Sequence, residues 1–406
     1  MKLFFSVGEP SGDLHGANLI RAFQRQHPDW QFVGYGGPRM AEAGCQLHAD
    51  LTQLAVMWIA RVLVNLHKFI ALLIAADGYF RDEKPDAVVL IDYPGFNWWI
   101  ARRAKARGIP VFYYGAPQIW AWASHRVKKM RKFVDHVLCK LPFEERWFRD
   151  RGCNATYVGH PYFDELRNQR LDHDFVARLS GCDSPLVTIL PGSRTQEVES
   201  NTRSFLRAAE LIARQVPNVR FAVAAFKTSQ AATVEQMALQ FNVPIEVHVG
   251  RTAELIHAAD CCLACSGSVS LELQYHAKPS VILYQVSRFG YFIQSRFRKS
   301  RYITLVNLLT ADDITTSRPA AIYDPANPRD AHVLLPEYLT QVDKSEQLAG
   351  HCIEWLTYAD SRARRVAALR KLRDKYALGG ASVRAADYIA AALEQSGGEG
   401  TLRLAS

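Results

Sequence analysis

Long apolar runs are missing from this chain: none approaches the ~20 residues that a membrane-spanning helix needs. The N-terminal run Leu3-Phe4-Phe5 is too short for a secretory leader, and Glu9 and Asp13 follow at once. A second cysteine pair is also missing. Cys262 and Cys265 have redox or zinc spacing, but no partner pair or histidine cluster accompanies them, and they sit in an apolar, strand-like run. They are expected to be buried free thiols. No base-reading nucleic-acid module and no repeat of solenoid length is visible. The expectation is a chain in the cytosol, or on a membrane surface without crossing it.

What is present is an alternation. The 406 residues allow roughly two to three domains. Short apolar runs rich in β-branched or aromatic residues recur at Leu3–Val7, Gln31–Tyr35, Ala87–Ile91, Val111–Tyr114, His136–Leu138 and Thr156–Val158. The pattern restarts at Leu186–Leu190 and continues through Val219–Ala224, Ile245–His248, Cys261–Ala264 and Ser280–Tyr284. Helix-like stretches separate them, which is the pattern of βαβ units and parallel sheets. The fold class is therefore α/β, with two Rossmann-like halves. A polar stretch, Leu166–Pro185, reads as the linker, and the chain beyond about residue 330 reads as helical. The expected domains are 1–168, 184–360 and a helical segment 361–406 that packs back on the first or is exchanged in a dimer.

Two tight turns stand out. Gly8-Glu9-Pro10-Ser11-Gly12-Asp13 follows the first apolar run, and Pro191-Gly192-Ser193-Arg194 follows the run at Leu186–Leu190. Small-residue turns between a strand and a helix expose backbone N–H groups to an anion. In the second half, Ser266-Gly267-Ser268 precedes another helix-like run, with Ser266 as its expected cap and Glu272 one turn inside it. Such a carboxylate suits two vicinal ribose hydroxyls, and Arg194 suits the diphosphate beside them. In the first half, Asp92 closes the run Ala87–Ile91 and faces the crevice side of a central parallel strand. It can serve as a base toward a sugar hydroxyl, or simply cap the next helix. Glu9 and Asp13 are competing acids. The two halves are expected to face a shared cleft.

Asp172-His173-Asp174 resembles the spacing of metal-dependent sugar transferases, but it lies in the linker and reads as a helix start. No metal or cofactor is implied. The excess of nine positive charges favours anionic partners. Basic residues cluster at Arg126, Lys128, Lys129, Arg131 and Lys132, and again at Arg296, Arg298, Lys299 and Arg301 among Phe292, Ile293 and Phe297. Basic with aromatic residues suits a lipid interface, although a solvated face is the default. The segment from Met57 to Ala76 is unusually apolar. Ile59, Val62, Leu63, Leu66, Phe69, Ile70 and Leu73 form a core-like stripe, while Trp58, Val64 and Leu72 fall outside it and are free for acyl chains, a membrane or a partner subunit.

Together the segments Gly8–Asp13, Gly34–Met40 (ending Gly37-Pro38-Arg39-Met40), Leu54-Ala55-Val56-Met57, Ile91–Asn97, Pro117–Trp122, Leu141-Pro142-Phe143-Glu144, Gly159-His160-Pro161, Leu190–Glu197, Ser266–Glu272 and Asn307-Leu308-Leu309 resemble the lipid-A-disaccharide synthases. These are inverting glycosyltransferases of the two-domain GT-B type. The resemblance implies transfer from UDP-2,3-diacylglucosamine to 2,3-diacylglucosamine 1-phosphate (lipid X), giving a β-1′,6-linked disaccharide and UDP. It implies a homodimer on the cytoplasmic face of the inner membrane, touching anionic lipids, with no nucleic acid partner. It makes Asp92 the leading base and places Gly192, Ser193, Arg194, Ser266, Gly267, Ser268, Glu272 and Asn307 at the nucleotide sugar. Glu9, Ser11, Gly12 and Asp13 fall on the acceptor side. Trp58, Val64, Leu72, Phe297 and Arg298 would touch membrane or acyl chains, and Arg126 and Lys129 are candidates for the acceptor phosphate. Trp58 and Arg61 depart from the family pattern, as does the start of the last helix at Gly379-Gly380-Ala381-Ser382. Two rival readings remain: a UDP-sugar epimerase or soluble-acceptor enzyme on the same scaffold, and a non-catalytic protein of membrane surfaces or nucleic acid.

Overall fold

The structure, a computed structural model, describes residues 1–55, 66–315 and 323–404. Trp58, Arg61 and Val64 lie outside the described residues. The chain forms two compact units: residues 1–165 with 378–406, and residues 166–377. The crossing back into the first unit lies between Ala377 and Leu378 rather than near residue 361, because the helix Ala359–Tyr376 belongs to the second.

The first unit holds seven parallel strands: β1 (Lys2–Val7), β2 (Gln31–Gly36), β3 (Gln46–Asp50), β4 (Ala87–Ile91), β5 (Val111–Tyr114), β6 (His136–Cys139) and β7 (Ala155–Tyr157). Their spatial order is β3-β2-β1-β4-β5-β6-β7. The second unit holds β8 (Leu186–Leu190), β9 (Arg220–Ala225), β10 (Glu246–Val249), β11 (Cys261–Cys265), β12 (Ser280–Gln285) and β13 (Glu337–Thr340), in the order β10-β9-β8-β11-β12-β13. β1, β4, β8 and β11 are apolar along almost their whole length because helices cover both faces of each sheet. In each unit the strand order reverses once, between β1 and β4 and between β8 and β11. The loops leaving those strands diverge there and open a crevice at their carboxyl ends. The turns singled out by sequence, at residues 8–13 and 92–97 and at 191–194 and 266–268, leave these four strands.

Apolar periodicity does not predict β3 or β13. β3 is an edge strand carrying Gln46, His48 and Asp50, and β13 begins with the buried Glu337. The region beyond residue 330 is thus not all helical. The stretch read as a linker is partly helical. Asp172 accepts a hydrogen bond from the Phe175 N–H (3.0 Å) and caps the helix His173–Ser180.

The last helix, Ala381–Leu404, completes the core of the first unit. Ala385, Ala386, Ile389, Ala390 and Leu393 recur at helical spacing and pack in one cluster with Leu19 and Phe23. Asp164 holds its start, accepting from the N–H groups of Gly380, Ala381 and Ser382. No described helix is long and apolar enough to cross a membrane.

Candidate functional site

Asp92 lies one residue past β4, in a left-handed turn with Tyr93 (φ +44° and +42°). Two consecutive non-glycine residues in this region persist only where the surroundings hold them. The buried Asn97 does so, donating from Nδ2 to the carbonyls of Asp92 (2.9 Å), Ser6 (3.1 Å) and Ile91 (3.3 Å). The Tyr113 hydroxyl donates to the same Asp92 carbonyl (2.6 Å). The backbone is fixed and the carboxylate stands clear of it. The residue preceding the helix Pro94–Ala106 is Tyr93, which makes no side-chain cap, so Asp92 is not spent on capping.

Lys140 meets that carboxylate. Its Nζ lies 3.1 Å from Asp92 Oδ1, and neither side chain is more than one-fifth exposed. The Lys140 and Leu141 N–H groups donate to Glu144 Oε2 (3.0 and 3.1 Å), and Trp120 Nε1 donates to Glu144 Oε1 (3.1 Å). Burial is the largest influence on Lys140 and pulls its pKa down, but Asp92, Glu144 and Glu9 outweigh it and the net shift is upward. Burial raises Glu144, and it drives His160 well below its ordinary value, helped by Lys140 and His15. Sequence reasoning missed Lys140. The one signal was a lysine just past an apolar strand, opening the Leu141–Glu144 motif.

The acceptor-side residues divide. Glu9 and Ser11 are exposed at the start of the helix Pro10–Gln26, while Gly12 packs beneath it, where an added Cβ would meet Val7 at 2.9 Å. Asp13 is only 3% exposed. Its carboxylate accepts from the N–H groups of Gly37 (2.8 Å), Arg39 (3.0 Å) and Met40 (3.1 Å). It does not cap its own helix: it ties that helix to the start of the helix Pro38–Glu42.

In the second unit, the N–H groups of Ser193 and Arg194 do not wait for an anion. Both donate to Glu197 Oε2 (3.1 and 3.2 Å), and Arg194 Nη1 pairs with Glu197 Oε1 (2.9 Å). Gly192 lies against the Glu197 side chain. The expectation of open amides in this turn is corrected: Glu197, three residues past Arg194, closes it. The Arg194 side chain, 81% exposed, remains free to swing to a ligand. The second turn differs. Among the described residues the N–H groups of Gly267, Ser268 and Val269 have no protein acceptor. Ser266 does not cap the seven-residue helix Val269–Tyr275, which starts right after Ser268, and Ser270 Oγ bonds back to the Gly267 carbonyl (2.8 Å). Glu272 is buried one turn in.

Asn307 is braced by protein groups on all sides. It is fully buried, donating to the Leu335 carbonyl (2.7 Å) and Glu337 Oε2 (2.9 Å) and accepting from the Leu335 N–H (3.1 Å). Arg298 is likewise 2% exposed, which removes it as a membrane contact, whereas Phe297 is 57% exposed. Leu72 is half-buried, and its carbonyl accepts from the Tyr35 hydroxyl (2.7 Å). The stripe expected in the core is partly reversed: Phe69 is buried, but Leu66 and Ile70 are exposed together with Ile74. Arg126 and Lys129 are exposed.

Among the described residues no three His, Cys, Asp or Glu side chains could share a metal ion. Cys262 and Cys265 are buried free thiols, and burial pushes Cys265 up to about 12. A cavity of about 440 Å³ lined by Leu186, Arg220, Asp260 and Arg362 opens at the amino ends of the second unit's strands, the end opposite the turns described above.

Two doubly wound parallel sheets on one chain, followed by a helical C-terminus, define the GT-B class. The UDP-GlcNAc 2-epimerase from Neisseria meningitidis bound to UDP-GlcNAc aligns over 97% of this chain and 100% of its own, with a TM-score of 0.62 at 13% identity. The calicheamicin glycosyltransferase CalG4 aligns over 97% and 98%, with a TM-score of 0.58 at 15% identity. These likenesses speak to the fold alone. Sequence goes further. The family model described as lipid-A-disaccharide synthetase matches residues 3–369. The lipid-A-disaccharide synthase of Trichlorobacter lovleyi is 32% identical over 397 residues, covering 97% of this chain and 98% of the relative. The chain belongs to the lipid-A-disaccharide synthase family and is a glycosyltransferase.

Proposed function

We propose that this chain transfers 2,3-diacylglucosamine from its UDP derivative to the 6-hydroxyl of 2,3-diacylglucosamine 1-phosphate, with Asp92 as the base. The observation that carries the base assignment is the state of the Asp92 carboxylate. It projects from a rigid turn at the switch point of the first unit, with Oδ1 held by Lys140 and Oδ2 without a protein partner among the described residues. In one displacement the acceptor O6 bonds to the anomeric carbon, the bond from that carbon to the UDP oxygen breaks, and the hydroxyl proton passes to Oδ2. On the second unit, Arg194 and the open amides at residues 267–269 stabilise charge on departing UDP, and Glu272 holds the ribose.

The reading includes a membrane surface. Phe289, Phe292 and Phe297 are 74%, 61% and 57% exposed on and beside the helix Arg288–Phe297, among Arg288, Arg296 and Lys299. In the first unit, Leu66, Ile70 and Ile74 are exposed at four-residue spacing. Both patterns suit the cytoplasmic face of the inner membrane and its anionic lipids. The family resemblance also supports a homodimer, which analytical ultracentrifugation checks. Cosedimentation with vesicles containing anionic phospholipid tests the membrane contact, which Phe289→Ser with Phe292→Ser should weaken.

The test of the chemistry uses purified protein, both acylated sugars and mass detection of the disaccharide. Asp92→Asn should keep UDP binding, read by thermal shift, and lose turnover by ~10²–10⁴-fold. Near-normal turnover in that variant removes Asp92 from the role.

A further inference from the structure

Lysine is seldom buried unless paired, yet Lys140 is only 9% exposed. It is held along its whole length. Its N–H is anchored on Glu144 Oε2, which also anchors Leu141, and Trp120 fixes the other Glu144 oxygen. Its stem passes over Gly115, a left-handed residue (φ +67°) where any Cβ would press on Cδ, Cε and Nζ at 3.3 to 3.5 Å. Its tip meets Asp92, whose own backbone is locked by Asn97 and Tyr113. Two side chains rooted this firmly, on the loops past β4 and β6 on either side of β5, meet in one geometry.

We propose that Lys140 is a positioning residue for the transfer: its ammonium fixes Asp92 through Oδ1 and leaves Oδ2 as the atom that takes the proton. This rests on the reading of Asp92 as the base.

The surrounding charges support the assignment. Glu9 on the loop past β1 and Glu144 on the helix Pro142–Arg149 are the other acids facing the lysine, and Tyr113 and Tyr114 on β5 feel Asp92. His160, past β7, accepts the Tyr162 N–H at Nδ1 (3.2 Å), and its neighbours Lys140 and His15 oppose a charge on it. His15 itself lies 3.2 Å from Glu165 and is spoken for. Among the described residues Lys140 is therefore the cation that faces Asp92. Its ammonium still faces Glu9 and Glu144 after Asp92 has been protonated, so proton uptake leaves no buried charge stranded.

The test is kcat and acceptor KM, measured separately, in the wild type, Lys140→Met, Lys140→Gln and Lys140→Arg, with Asp92→Asn alongside. UDP-induced thermal shift confirms the fold of each variant. Lys140→Met should lower kcat on the order of 10²-fold, the effect of a ~1 Å misplacement, with acceptor KM within a few-fold of wild type. Lys140→Gln keeps a donor without a charge and should keep more of kcat. Lys140→Arg keeps both donor and charge and should recover more again. An unchanged kcat in the Met variant, or a loss of kcat as large in the Gln and Arg variants as in Met, overturns the proposal and leaves Asp92 as base. High turnover in Asp92→Asn fails the base itself, whatever the lysine variants do.

Discussion

Asp13→Asn separates scaffold from site in the most family-like turn of the chain. The wild-type carboxylate, 3% exposed, accepts three backbone N–H bonds, with Oδ1 serving Gly37 and Met40 and Oδ2 serving Arg39. Asparagine can keep oxygen at the Oδ1 position, but its NH₂ then faces the Arg39 N–H. One buried donor loses its acceptor, at about 1–3 kcal/mol, and two charge-assisted bonds become neutral ones of roughly half the strength. The sum is about 2–4 kcal/mol. For a unit of this size that lowers Tm by about 4–16 °C. Differential scanning calorimetry reads the loss, and steady-state kinetics on the folded enzyme should show acceptor KM and kcat within a few-fold of wild type. A variant of unchanged Tm whose acceptor KM rises tenfold would refute the reasoning and return Asp13 to the acceptor site.

Two further outcomes are expected. Burial, aided by Arg365 for one and by His257 and Lys278 for the other, lowers His351 and His276 to about 4. Both rings stay neutral in the folded chain where the unfolded chain takes up protons, so stability is full above the ordinary value near 6.5 and is lost as pH falls toward 4. The loss is up to about 1.4 kcal/mol per pH unit per ring. Guanidinium midpoints at pH 7, 5.5 and 4.5 check this, and His351→Gln should flatten the slope by about one proton; an unchanged slope rejects it. Glu337→Gln removes a buried acceptor that serves Ile303 N (2.6 Å), Thr304 N (3.0 Å), Thr304 Oγ1 (2.6 Å) and Asn307 Nδ2 (2.9 Å). It should destabilise the second unit by about 2–4 kcal/mol, with UDP-sugar KM within twofold. Unchanged stability with a much raised KM would instead place Asn307 at the nucleotide.

The sheets were legible because buried parallel strands are written in contiguous apolar residues, as in Ala87–Ile91 and Leu186–Leu190. β3 and β13 were not, because an edge strand is covered less evenly and a buried glutamate such as Glu337 looks like surface until its four donors are seen. The turns were legible as turns, since small residues after a strand mark them. What lies inside them was not. Nothing in Pro191–Glu197 announces that the last residue folds back onto the amides of Ser193 and Arg194. Likewise Asp13, Asn307 and Arg298 carry polar groups that sequence alone assigns to ligands or lipid, and that tertiary contacts bury. The apolar segment before residue 76 misled for a related reason. Its residues permit more than one helical stripe, and only packing shows that Phe69 turns inward while Leu66, Ile70 and Ile74 do not.

The count of protein donors on each buried acid sorts structure from chemistry more sharply than position along a strand. Asp13 and Glu144 each take three donors, Asp164 at least three and Glu337 four, and in all four both oxygens are occupied. A carboxylate so engaged has little accepting capacity left for a substrate proton, and moving it would strand several donors at once. Asp92 stands apart. Among the described residues it takes one donor on one oxygen, it sits in a strained turn, and its partner is a cation on a separate loop rather than an amide of its own motif. Strain and an unused oxygen persist in a folded protein where function retains them. An acid at a switch point that meets both conditions is a base candidate, and one that meets neither is a brace, however family-like the motif around it.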